Sequence, residues 1–268
     1  MKYLDASSAD FEKSFQSLIL STLEPNKNVL ETVSKIISDV RKRGDDALLE
    51  YTNHYDHLSA KLETLEIKKD EVEAALDRIS DSMRDSFEDA AKRIRTFHEK
   101  QKQETWTYTD EDGNVLGQRI TPIDRIGVYV PGGKAAYPSS VLMNVIPAKI
   151  AGVREIIMVV PTPHGERNDL VLAAAEIVGV DRIFSIGGAQ AIAALAFGTN
   201  LVPKVDKIVG PGNIYVTAAK REVFGFVGID MIAGPSEVLL LLMRAQIQTG
   251  LQWIYSLRPN MTNRQAQY

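Results

Sequence analysis

The sequence predicts an α/β fold: a Rossmann-like, doubly wound, mostly parallel sheet, preceded by a helical amino-terminal region and a β-hairpin. Three observations predict it. Between residues 125 and 241, short apolar runs alternate with helical patterns over short connections, as βα units of a parallel sheet do. Those runs end in Pro131-Gly132-Gly133, Gly187-Gly188 and Gly210-Pro211-Gly212, which places their loops along one edge of the sheet. Ahead of them, apolar residues recur at spacings of three and four in a chain otherwise dense in charge, which is the pattern of amphipathic helices.

Taken in order, residues 10–23 place Phe11, Phe15, Leu18, Ile19 and Leu23 on one stripe, and residues 26–43 repeat it with Val29, Val33, Ile36, Ile37 and Val40. Arg43-Gly44-Asp45-Asp46 interrupts the pattern, which restarts at residues 47–51. Helices follow over residues 69–79 and 81–101, the second with Phe87, Ala90, Ile94 and Phe97 along one face. Residues 105–108 and 115–120 flank a turn at Asp112-Gly113-Asn114 and read as a hairpin. In the sheet unit, strands are expected at 125–130, 155–160, 182–186, 207–209, 229–232 and 238–241. Helices are expected at 141–151, capped by Ser139 or Ser140 and kinked at Pro147, and at 169–178, 190–197 and 213–224. The domain reading is a helical region with hairpin over 1–124, a Rossmann-like unit over 125–241, and an aberrant tail over 242–268.

Composition bounds the function. A 44% hydrophobic, 25% charged chain is ordinary for a globular protein. Its net charge of −4 gives no reason to expect nucleic acid or an anionic membrane as partner. The chain has no cysteine, so a disulfide, a thiolate metal site and a cysteine nucleophile are excluded. No signal-peptide core or membrane-length apolar run is present, and a cytoplasmic protein is expected. The four histidines, His54, His57, His98 and His164, include no i, i+4 pair of the kind that builds a helical zinc motif.

None of the glycine loops is the G-x-G-x-x-G fingerprint or a Walker loop. They serve either as tight strand-to-helix turns or as backbone cradles at helix N-termini, where phosphate or carboxylate is favoured. Three on one edge favour a ligand.

The segments G-V-Y-V-P-G-G, G-G-A-Q-A-I-A-A-L-A-F-G-T, V-P-K-V-D-K-I-V-G-P-G-N and D-M-I-A-G-P-S-E-V-L, in this order, closely resemble histidinol dehydrogenase, and the likeness runs from the amino-terminal helices to Leu241. The resemblance implies an NAD-dependent, zinc-containing homodimer of histidine biosynthesis. Such an enzyme oxidises L-histidinol to L-histidinaldehyde and then to L-histidine with two NAD. Carried over by motif, the NAD contacts fall on Tyr129, Gln190 and Asn213, and a substrate contact on Ser236; Glu237 beside it reads as structural. A hydroxyl and two amides at loop mouths suit ribose hydroxyls and phosphates.

Beyond Leu241 the likeness stops. Residues 243–268 contain no Asp or Glu, and the family's S-Q-A-E-H-D motif, whose Gln and His are zinc ligands, is absent, as are the later acid–base pair and remaining ligands. A one-base shift of frame from Leu242 onward is compatible with recovering S-Q-A-E-H-D in register. The expectation is therefore a frameshifted, truncated chain without catalytic or metal residues, inactive alone, which resequencing around codon 242 decides. The alternative from another class is a non-catalytic NAD-binding or dimerisation module, which requires a tail that packs. An aldehyde dehydrogenase with a cysteine nucleophile is excluded.

Overall fold

The apolar stripe of residues 26–43 forms helix α1 (Lys27–Arg43), and the five residues expected to face inward, Val29, Val33, Ile36, Ile37 and Val40, are all buried. Each contributes roughly 1.5–3 kcal/mol relative to an exposed side chain. Gly44, at a φ of 59°, turns the chain into α2 (Asp45–Tyr55). The structure, a computed structural model, describes residues 7–16, 27–132 and 136–232. Within the first of these, residues 11–16 are helical, and Phe11 stacks on Phe15. The rest of that expected stripe, the strand at 238–241 and the tail all lie outside the described residues.

A two-residue strand, β1 (Glu66–Ile67), leads to α3 (Lys69–Arg78) and α4 (Asp81–Glu99). Helix α4 buries Phe87 and Ala91, whereas Phe97 is 62% exposed and does not continue the buried face. The hairpin is β2 (Trp106–Thr109) and β3 (Val115–Gln118), in register from Trp106↔Gln118 to Thr109↔Val115. Its turn is held by the Asp110 carboxylate, which accepts the N–H groups of Asp112 and Asn114. Both strands are exposed throughout.

The α/β unit follows as β4 (Arg125–Tyr129), α5 (Pro138–Ile150), β5 (Glu155–Val159), α6 (Asp169–Val178), β6 (Arg182–Phe184), α7 (Gly188–Phe197), β7 (Lys207–Val209), α8 (Ile214–Val223) and β8 (Gly228–Ile229). The sheet order is β1-β6-β5-β4-β7-β8, with β4 to β8 parallel and β1 antiparallel at the edge. The chain winds outward from β4 through β5 to β6, then returns to pair β7 on the other side of β4. That reversal is a topological switch point, where open α/β sheets bind ligands at the carboxyl ends of their strands.

Both faces of the sheet are covered, and the alternation along β5 shows it. Ile156, Met158 and Val160 join a core with α3, α4, α5 and α6, while Ile157 and Val159 join one with α1, α2, α7 and α8. A strand buried on both faces reads as a continuous apolar run, which is why E-I-I-M-V-V carried no alternation. Both cores draw residues from either side of position 124.

Two local expectations are corrected. Helix α5 begins at Pro138 with no side-chain cap from Ser139 or Ser140, because proline at the first position has no N–H to satisfy. The helix continues through Pro147, whose ring removes the donor for the Met143 carbonyl on a face where Met143 is 62% exposed and water can serve. The strand expected at 229–232 ends at Ile229, because Asp230 turns its carboxylate to the Gly210 loop and Met231 and Ile232 are exposed. The small edge strand β1 was not foreseen. It is fastened by Arg182, which donates to both Glu66 oxygens at 2.7 and 2.8 Å.

Candidate functional site

The site is built from the loops that follow β4, β6 and β7. Tyr129 closes β4 and is buried, its ring in the core shared with α7. Its hydroxyl accepts the N–H of Gly188 at 3.1 Å, so the β4 end and the first turn of α7 are joined by one hydrogen bond. Burial pushes this phenol up to about 12, with the Gly188 N–H opposing and the negative charge of Asp56 adding to the shift. The hydroxyl is therefore protonated at neutral pH, and has a donor left for another acceptor.

Gln190 lies in the first turn of α7 and is 1% exposed. Its Oε1 accepts no hydrogen bond from any described residue. A buried amide oxygen without a partner costs about 1–3 kcal/mol, so the position calls for a donor from outside the described residues. No side chain caps α7: its N-cap is Gly187, and the helix opens toward the loop edge with Tyr129 taking only the Gly188 N–H. Such an N-terminus favours negative charge. Gly187 cannot be replaced without moving its neighbour, since a Cβ there would lie 2.4 Å from the Pro161 Cβ. The β5 and β6 loops are thus in direct contact.

Asn213 is the N-cap of α8 and is exposed. Its side-chain oxygen accepts the N–H groups of Tyr215 and Val216 at 3.0 and 3.1 Å. The sequence treats the N-termini of α7 and α8 alike, but here they differ. At α8 the oxygen is spent on the cap, and the amide NH₂ is what Asn213 can offer a ligand.

At the switch point, Gly210 has a φ of 108°, and a Cβ on it would lie 2.1 Å from the Tyr129 carbonyl oxygen. The loops after β4 and β7 therefore touch backbone to backbone, and Tyr129 and Asn213 belong to one continuous rim. Tyr129 and Gln190 are brought together through Gly188; Ser236 and Glu237 lie outside the described residues.

Sequence reasoning missed a polar cluster behind this rim. Asp56 is 7% exposed, its Oδ2 has no partner among the described residues, and burial raises its carboxyl, with the Thr162 N–H and His57 opposing. His57 and His164, both at positive φ, stack at 5.4 Å, and the His164 N–H donates to the Asp56 carbonyl. The two histidines are far apart in sequence, so no spacing could have paired them. A cavity of about 550 Å³ adjoins them, lined by Leu58, Thr162, Arg167 and Ser185 among others. Among the described residues, no three His, Asp or Glu side chains come together as a metal site. No described helix is long and apolar enough to cross a membrane.

With the geometry in hand, comparison with known proteins is direct. Residues 21–247 match the family described as Histidinol dehydrogenase. The histidinol dehydrogenase of Neisseria gonorrhoeae is 54% identical over 255 residues, covering 95% of this chain and 59% of the relative. That of Hydrogenovibrio crunogenus is 59% identical over 241 residues, covering 90% and 56% respectively. The crystal structure of histidinol dehydrogenase from Elizabethkingia anophelis superposes with a TM-score of 0.75 at 37% identity, covering 80% of this chain and 50% of that one. The chain spans a little over half the length of the relatives it matches.

Proposed function

This chain belongs to the histidinol dehydrogenase family, and from that premise we propose that its sheet edge is the NAD-binding side of a dehydrogenase acting on L-histidinol. NAD, when bound, supplies the hydride acceptor for oxidation of the alcohol and then of the aldehyde. Tyr129, Gln190 and Asn213 hold it. The Tyr129 hydroxyl donates, the Gln190 Oε1 accepts from a hydroxyl or amide of the cofactor, and the Asn213 NH₂ donates. The uncapped N-terminus of α7 adds a partial positive charge where phosphate oxygens can lie. Ser236 is assigned to the substrate. The reading also includes a homodimer in the cytoplasm, with zinc as the family's metal.

The described residues fit the cofactor but not the metal, so no step is derived through zinc. Among the 268 residues there is no S-Q-A-E-H-D run. Cofactor binding is the property proposed for the residues described.

The observation that carries the reading is the Gln190 Oε1, buried, without a donor among the described residues, and two residues from the Gly188 N–H that the Tyr129 hydroxyl accepts. Its test is Gln190→Leu, which removes the unsatisfied atom and keeps similar bulk. Thermal stability should hold or rise, while NAD affinity, titrated by ligand-induced thermal shift, should fall about tenfold, the loss of about one charge-free hydrogen bond with its partner left unpaired. Unchanged NAD affinity in this variant counts against the site.

A further inference from the structure

The loop at the switch point is held by an ion pair that no part of the cofactor reading uses. Lys220 lies in the last turns of α8 and is only 4% exposed, which is rare for lysine unless it is paired. Its Nζ donates to the Gly210 carbonyl at 3.0 Å and pairs with the Asp230 carboxylate. Asp230, at the end of β8, accepts the Gly210 N–H on its other oxygen at 2.8 Å. Both polar groups of one residue are thus gripped by two side chains that are themselves paired.

Gly210 is also where the chain is under most constraint. It sits at a φ of 108° against the Tyr129 carbonyl, and it begins the Gly210-Pro211-Gly212-Asn213 turn that sets the position of Asn213. Glycine adopts such a φ without strain, so the position of this turn depends on contacts that restrain its backbone. Ordinary strand pairing does not do so here, because β7 ends at Val209. The remaining restraint on Gly210 comes from α8 on one side and β8 on the other.

The geometry points to Lys220 and Asp230 as positioning residues for the cofactor rim: they clamp Gly210 so that Asn213 and Tyr129 keep the spacing a bound dinucleotide needs. This rests on the NAD reading above. Neither side chain is assigned to touch the cofactor; both act through the loop. Preorganisation of this kind matters because a displacement of about 1 Å in a binding constellation can cost up to ~100-fold in function.

The test uses the full 268-residue chain and two variants. Lys220→Met removes the donor to the Gly210 carbonyl. Lys220→Met/Asp230→Asn also removes the carboxylate left without its partner, so that a folded protein is available if the single variant fails. Lys149→Met, which breaks the exposed Lys149–Asp181 pair away from the rim, is the control for losing an ion pair. Amide hydrogen exchange is followed at Gly210 and at sheet positions Val128 and Ile157, and NAD affinity is titrated at a temperature where all variants are folded.

The expected result is faster exchange at Gly210 with the sheet amides unchanged, and NAD binding weakened about tenfold, in the clamp variants but not in the control. Unchanged exchange at Gly210 overturns the clamp. Faster exchange with unaltered NAD affinity overturns the positioning role and leaves the pair as fold support. If the unaltered chain binds no NAD, the cofactor reading falls and the positioning role with it, while the exchange data still report whether Lys220 holds the loop.

Discussion

Replacing Gly210 with alanine tests the central contact of the rim. The new Cβ would lie 2.1 Å from the Tyr129 carbonyl oxygen, and that oxygen is backbone of a central strand, so it cannot swing aside as a side chain can. An ordinary C···O contact is about 3.3 Å or more, so the loops after β4 and β7 must part by about 1.2 Å. The positive φ costs roughly 1–3 kcal/mol for a residue with a side chain, and the overpacking a further 1–3 kcal/mol, about 2–6 kcal/mol together. For a chain of this size that corresponds to a fall in Tm of roughly 5–20 °C. The control is Gly44→Ala, where φ is 59° and ψ −126° but nothing lies within 4 Å, so only the backbone cost of roughly 1–3 kcal/mol applies. Urea unfolding of both variants beside the unaltered chain gives the comparison. If Gly210→Ala costs no more than Gly44→Ala, the backbone contact between the two loops is not there and the rim as described is wrong.

The remaining predictions concern single polar groups. Asn213→Asp keeps a capping oxygen, so stability should be unchanged, but it loses the NH₂, and NAD affinity should drop about tenfold; a matching loss of stability would show that the cap had been broken instead. For Asp56, burial raises the folded-state pKa above its ordinary 3.8. The folded protein therefore binds the proton more tightly than the unfolded chain, and stability falls as pH rises from the ordinary value to the raised one. Asp56→Asn should abolish that part of the pH dependence and stabilise the chain at neutral pH; a stability–pH curve parallel to that of the unaltered chain would refute it.

The helices and most strands were legible because their signals are local. The five inward residues of α1 follow from spacing alone, and the continuous apolar run of β5 announces burial on both faces. What was not legible depended on distant partners. Glu66 and Ile67 form a strand only because Arg182 and β6 meet them across the sheet, and nothing in their own neighbourhood marks an edge strand. Phe97 carries the right helical phase but lies in the last turn of α4, where it is exposed. Asp230 interrupts the apolar residues Ile229, Met231 and Ile232, and its carboxylate is taken by Gly210 and Lys220.

The candidate site divides the same way. The sequence by itself determined where the loop mouths lie, because glycine and proline punctuation marks where each strand stops and each helix starts, and the resemblance of the motifs singled out Tyr129, Gln190 and Asn213 there. It also determined the family, through long motifs that need no coordinates. Only the tertiary structure decided how these residues are used. The Tyr129 hydroxyl is held by Gly188, the Asn213 oxygen is committed to its own helix, and the Gln190 oxygen is left without a donor among the described residues. A hydrogen-bond partner is a matter of distance in space, and the strand order that brings β4 between β5 and β7 is set by packing on both faces of the sheet rather than by any local run of residues.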